Sequence, residues 1–234
     1  MAEEFMSEMR RFRACGLTIL AIAAGLAMGW SVVGPASAAA EKAKASPSFF
    51  KTVETQSDNM KPFKKWTTAL TRYTKAEAEQ KGGCDSKKFN KCHYDEWIAF
   101  LDTVRGMDKL AQLKAVNKQM NKSKYIVDQA NWGTKDYWAT PFEFMAKFGD
   151  CEDYAITKFM SLKQLGYDAK DLRVVAVKDM NLRVGHAILA VFLDGKVYIL
   201  DNQVKIVVEA KKIRHYQPVF SISETHWWRH RAAT

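Results

Sequence analysis

The chain has 234 residues, of which 47% are hydrophobic and 12% aromatic, and a formal net charge of +10. That composition excludes a disordered polymer, and the length suits one sizeable core or two lobes. The basic excess does not read as nucleic-acid binding: the lysines are spread along the chain without the aromatic interleaving or glycine-rich motifs of such modules. A solvated basic surface facing an acidic partner or the cell envelope is the plainer reading.

In chain order, Arg10, Arg11 and Arg13 precede an apolar run from Leu17 to Trp30 that ends in Ala36-Ser37-Ala38-Ala39-Ala40. This is the charged, apolar, small-residue order of a secretory signal peptide, so residues 1–40 are expected to direct export. The run is shorter than the ~20 residues of a membrane span, which makes a retained anchor the weaker alternative. Residues 41–60, rich in Ala, Lys and Ser, read as a linker into a folded domain over 61–234. Cys15 leaves with the signal, while Cys84 and Cys92 flank a short polar loop and in an exported protein are expected to form a disulfide. A zinc site with His93 lacks the second ligand pair.

Apolar residues at three- and four-residue intervals predict helices around Trp66–Gln80, Tyr94–Gly106 and Met107–Gln119. A polar, aromatic loop over 121–140 follows, and Pro141 marks a helix start. The next helix begins at Asp150, a good N-cap, and Gly166 ends it, which places Cys151 in the first turn. Unpaired N–H groups and the helix dipole favour a thiolate there, whereas Asp150, Glu152 and Asp153 oppose it unless a positive charge offsets them. Beyond Asp171 the period becomes extended. Leu172–Val177, Gly185–Leu193, Lys196–Leu200 and Val204–Glu209 read as strands of an antiparallel sheet, giving an α+β chain with helices first and sheet second.

Asp194-Gly195 is a two-residue hairpin signal. Pairing Leu193 with Lys196 and Val191 with Tyr198 brings Ile188 opposite Asp201, so His186 and Asp201 project from one face as diagonal neighbours. Each of these residues has a plain structural role when taken alone. Together, a cysteine at a helix start, then a histidine and an aspartate on one face of a hairpin, form the set needed for a thiol nucleophile, a general base and the acid that orients it.

The blocks Asp136-Tyr137-Trp138-Ala139-Thr140-Pro141, Gly149-Asp150-Cys151-Glu152-Asp153-Tyr154-Ala155, Lys158, Gly185-His186-Ala187 and Leu200-Asp201-Asn202 resemble the bacterial transglutaminase-like cysteine proteinases, LapG-type branch. The resemblance runs from about residue 61 to 228. It implies a papain- and transglutaminase-like α+β fold, with the helical N-terminal part packed on the C-terminal antiparallel sheet. It also implies a periplasmic cysteine endopeptidase with Cys151 as nucleophile, His186 as base and Asp201 as its orienter. Further implications are Ca²⁺ held by Asp150 and Glu152, with Asp153 a further ligand, and an oxyanion held by the Cys151 N–H and a second donor for which Trp132 and Trp138 are candidates. The partners it implies are a protein substrate such as a large surface adhesin and an inner-membrane cyclic-di-GMP receptor as regulator. The other readings are a transglutaminase-type acyl transferase and a catalytically silent peptide-binding protein.

Overall fold

A computed structural model describes residues 49–79 and 91–233 of the chain. A 3₁₀ turn at Lys61–Phe63 leads into helix α1 (Lys64–Glu79), followed by α2 (Lys91–Val104), α3 (Lys109–Met120), α4 (Asp128–Asn131), α5 (Pro141–Lys147) and α6 (Cys151–Gln164). The strands are β1 (Thr52–Ser57), β2 (Leu172–Asp179), β3 (Val184–Leu193), β4 (Lys196–Leu200), β5 (Val208–Glu209), β6 (Tyr216–Ile222) and β7 (Trp227–Ala232). They form one sheet in the order β1-β7-β6-β2-β3-β4-β5, with every pair antiparallel. This is the expected α+β arrangement, and no helix among the described residues is long and apolar enough to cross a membrane.

Helix α6 is the hub. Every residue from Cys151 to Leu162 is buried, because the helix lies between the sheet on one side and the other helices on the other. Period-2 alternation divides the sheet into two apolar faces. Leu172, Val174, Leu189 and Val191 pack toward α6, while Val175, Val177, Ile188 and Ala190 form a second cluster with Phe49 and Ile213. Gly166, at φ +85°, ends the helix, and Tyr167 N–H closes back on Leu162 O at 3.0 Å.

Two expectations are corrected. Residues 52–57, read as linker, form β1 and pair with β7. The expected strand over 204–209 shortens to Val208–Glu209, since the chain bends after β4 and Ile206 stays exposed. Beyond β6, Trp227–Ala232 form strand β7, set between β6 and β1. The Cys84–Cys92 pairing and the signal segment lie outside the described residues.

His230 on β7 ties three strands together, with Nδ1 2.9 Å from Thr52 Oγ1 on β1 and Nε2 2.9 Å from Ser221 Oγ on β6. Burial, and then the nearby Arg173 charge, push its pKa down from 6.5 to about 3. The unfolded chain therefore takes up this proton first, so the stability the residue gives is complete above pH 6.5 and is lost as pH falls toward 3. The expected slope is at most about 1.4 kcal/mol per pH unit. Urea unfolding between pH 7.5 and 4.5 checks this: the wild-type protein should lose stability faster on acidification than His230→Gln, and parallel curves would contradict it.

Candidate active site

The chain approaches the cysteine through a constrained turn. Helix α5 starts with a capping box in which Thr140 N–H donates to Glu143 Oε2 (2.7 Å) and Glu143 N–H to Thr140 Oγ1 (3.3 Å). It ends at Phe148, whose φ of +64° is a strained conformation for a residue with a side chain. Gly149 then bridges to Tyr125 and accepts the Ile126 N–H at 2.9 Å, which brings the start of α4 against the start of α6. A Cβ on Gly149 would fall 2.1 Å from Asp153 Oδ2, so only glycine leaves that carboxylate in place. Asp153 uses both oxygens structurally: Oδ2 accepts Asp150 N–H (3.2 Å), and Oδ1 accepts Ala139 N–H (2.7 Å).

The hairpin arithmetic holds. Leu193 pairs with Lys196, Val191 with Tyr198 and Leu189 with Leu200, so Asp201 comes just past the end of β4. His186 Nε2 lies 2.9 Å from Asp201 Oδ1, and both side chains are buried. Asp201 Oδ1 also accepts Gln203 N–H (2.8 Å), Oδ2 accepts the Tyr216 hydroxyl (2.7 Å), and its carbonyl accepts Asn121 Nδ2–H (2.7 Å). Burial alone would raise the Asp201 pKa; the His186 contact, the Gln203 N–H and the Tyr216 hydroxyl outweigh it and hold the carboxyl below its ordinary value. An ionised Asp201 only accepts, so the imidazole proton sits on Nε2 and Nδ1 is the basic nitrogen, 3.4 Å from the Gln203 amide. Behind the site, burial pushes the Lys158 pKa down to about 7 against the opposing charge of Asp201, and its Nζ has no hydrogen-bond partner among the described residues.

Around the cysteine acidic side chains crowd together. Ligand-capable oxygens of Asp128, Asp136 and Glu152 lie within 4.8 Å of one another, as do those of Asp128, Asp150 and Asp153, and as do Asp150, Glu152 and the Cys151 sulfur. Burial, followed by mutual repulsion, raises Glu152 and Asp153 well above the ordinary carboxylate range. Burial also raises Asp150, and it takes Asp128 to about 7 despite the hydrogen bond from Tyr137 N–H. Lys65 pairs with Asp136 at the rim.

This donor set fits a hard divalent cation. Oxygens bound to one Ca²⁺ at roughly 2.3–2.6 Å are at most about 5 Å apart. Two buried oxygens, Asp128 Oδ1 and Asp150 Oδ1, have no hydrogen-bond partner among the described residues. Of the three acids expected from the sequence, Asp150, Glu152 and Asp153 all have oxygens in these clusters, and Asp153 also accepts two backbone N–H groups. Asp128 and Asp136 join the cluster with no motif in the sequence to announce them.

Cys151 occupies the first turn of α6, is buried, and has its sulfur 3.2 Å from Glu152 Oε2. Neither Cys92 nor Cys151 is a free thiol here; both are disulfide-bonded. The attacking form is therefore the reduced one. Glu152, the neighbour of the cysteine, and His186 line the same groove of about 440 Å³, together with Trp66, Trp138, Ala176 and Phe220. The oxyanion candidates fare differently. Trp138 lines the groove, but its indole N–H donates to Asp136 Oδ1 at 3.0 Å. Trp132 stacks on Tyr137 at 4.4 Å with Lys147 over its ring, and its buried N–H has no hydrogen-bond partner among the described residues.

Comparison with known proteins bears on the family and the fold. The family model for bacterial transglutaminase-like cysteine proteinase (BTLCP) matches residues 83–230, more than half of the chain. Among solved structures, calcium-bound Legionella pneumophila LapG aligns at 24% identity with a TM-score of 0.55, covering 69% of this chain and 87% of that one. The EGTA-treated form of the same protein aligns at 24% identity with a TM-score of 0.56, covering 70% and 86%. At that identity the likeness speaks for the shared fold. No curated protein matches the chain. The family match over the segment that holds the cysteine, the histidine and the aspartate, on a transglutaminase-like fold, leads to one conclusion: the chain belongs to the bacterial transglutaminase-like cysteine proteinase family and is a cysteine peptidase.

Proposed function

We propose that the protein is a periplasmic, calcium-dependent cysteine endopeptidase that uses Cys151, His186 and Asp201 to cleave a surface or secreted protein, a large adhesin being the substrate type that the LapG-type resemblance implies. The observation that carries this reading is the His186–Asp201 pair: Nε2 is held by an ionised carboxylate, which leaves Nδ1 as the basic nitrogen, and His186 lines the groove. In the reduced enzyme His186 Nδ1 takes the Cys151 thiol proton, and the thiolate attacks the scissile carbonyl. The Cys151 backbone N–H, in the first turn of α6, is the donor assigned to the developing oxyanion. His186 then returns the proton to the leaving amine as the C–N bond breaks, and water hydrolyses the thioester with the same imidazole as base.

Asp128, Asp136, Asp150 and Glu152 are the residues that would hold calcium. When bound, the ion supplies positive charge beside a sulfur otherwise surrounded by carboxylates. The LapG structures, one calcium-bound and one EGTA-treated, support relevance of that ion to this fold. An inner-membrane cyclic-di-GMP receptor belongs to the same reading as regulator.

The test is incubation of the purified, reduced protein with calcium and the surface and secreted proteins of its own cell, read by mass spectrometry. New N-termini that are absent with Cys151→Ala are expected. Isopeptide crosslinks in place of new termini would mark a transglutaminase instead, and neither product would mark a silent binding protein.

A further inference from the structure

The groove beside His186 has a chemical character of its own. Its floor is apolar, with Ala176 and Phe220 from the sheet and Trp66 and Trp138 at the sides, and its volume of about 440 Å³ lies within the range of ligand sites. One rim is different. The turn that precedes α1 and the first residue of that helix place Lys61 and Lys64 there, both exposed. The turn is firmly built, because Pro62 fixes its backbone and Phe63 is wedged between Phe220 (5.1 Å) and Trp227 (5.3 Å). Lys65 is taken by Asp136, whereas neither Lys61 nor Lys64 forms an ion pair among the described residues. The acids that reach this groove are already engaged: Asp136 with Lys65, and Glu152 within the buried carboxylate cluster.

We propose that this groove selects a substrate segment in which an acidic residue stands close to an apolar one, the apolar side chain filling the floor and the carboxylate meeting Lys61 and Lys64. As a cleavage preference this rests on the peptidase reading above; as a binding preference it does not. Charges at a rim steer encounter and fix register more than they add affinity, and they reject like-charged segments, so the effect is one of selectivity. The preference should also weaken as salt screens the exposed lysines.

The experiment digests a peptide library with the reduced, calcium-loaded protein and then compares one cleaved peptide carrying Glu, Gln or Lys at the enriched position. The expected order is Glu over Gln over Lys in kcat/KM, and Lys61→Glu/Lys64→Glu should lower the Glu-to-Lys ratio by about tenfold or more. An unchanged ratio in the charge-reversed protein, or a library without acidic enrichment, would overturn the proposal. If no peptide is cut, the peptidase reading fails, and fluorescence anisotropy with Cys151→Ala decides the groove separately. Tighter binding of Asp- and Glu-containing peptides, lost on charge reversal, supports it; equal binding of acidic and basic peptides overturns it.

Discussion

Replacing Cys151 with alanine in the reduced protein is expected to lower kcat by on the order of 10⁶-fold, with His186→Ala costing about as much. The sulfur forms the acyl bond and the imidazole moves the proton, so neither works without the other and their losses do not add. Asp201→Asn should cost about 10⁴-fold through a different route. Its amide would present an N–H to His186 Nε2, which favours the tautomer with the proton on Nδ1, and a protonated Nδ1 cannot take the thiol proton. Tyr216 and the Gln203 N–H bind the same carboxylate, so Tyr216→Phe removes one donor and should raise the Asp201 pKa. Steady-state kinetics on a cleaved peptide, with circular dichroism to establish folding, would check these losses. Activity within tenfold of the wild type in Cys151→Ala would reject the assignment.

The second large effect is expected from calcium. With Asp128, Asp136, Asp150 and Glu152 converging and little positive charge among them, chelation with EGTA should abolish measurable cleavage, and restored calcium should return it. The physical reason is electrostatic: without a cation the buried acids beside the sulfur either hold protons or, where ionised, repel a thiolate, and a bound cation relieves both. Binding has a readout that does not depend on activity. At a concentration one hundred times Kd, calcium should stabilise the fold by about 2.7 kcal/mol, seen as a higher midpoint in thermal unfolding. Asp128→Asn is the sharpest variant, because Asp128 is remote in sequence, is buried, and has one oxygen with no hydrogen-bond partner among the described residues. It should weaken calcium binding by about tenfold or more by titration calorimetry. Full activity in EGTA together with no thermal shift would remove calcium from the account.

What the sequence made legible was local. The Asp194-Gly195 turn has positive φ at both residues, 50° and 71°, as a two-residue hairpin of this type requires, and from it the register and the His186–Asp201 pairing follow by counting. The helix start at Asp150 was legible for the same reason, through cap chemistry written in adjacent residues. Strand β1 was not, because its polar run from Thr52 to Ser57 carries only Val53, which faces solvent. Residues 204–207 misled in the opposite direction, since β-branched residues there occupy a bent loop. The acids Asp128 and Asp136 reach the site only because Ile126 bonds to Gly149 and Ala139 to Asp153, contacts between segments that no spacing rule connects. Gln203 and Tyr216 were hidden likewise: a turn residue and a strand residue become partners of the triad only when the sheet is assembled.

The cysteine–histidine coupling at the centre of the account is tested most directly by the rate at which iodoacetamide alkylates Cys151 as a function of pH, in the reduced, calcium-loaded protein and in His186→Ala. Rapid alkylation at neutral pH is expected, with an apparent pKa below the ordinary thiol value of about 8.5, and a marked slowing when His186 is removed. Alkylation that follows an ordinary thiol titration and is indifferent to His186 would contradict it.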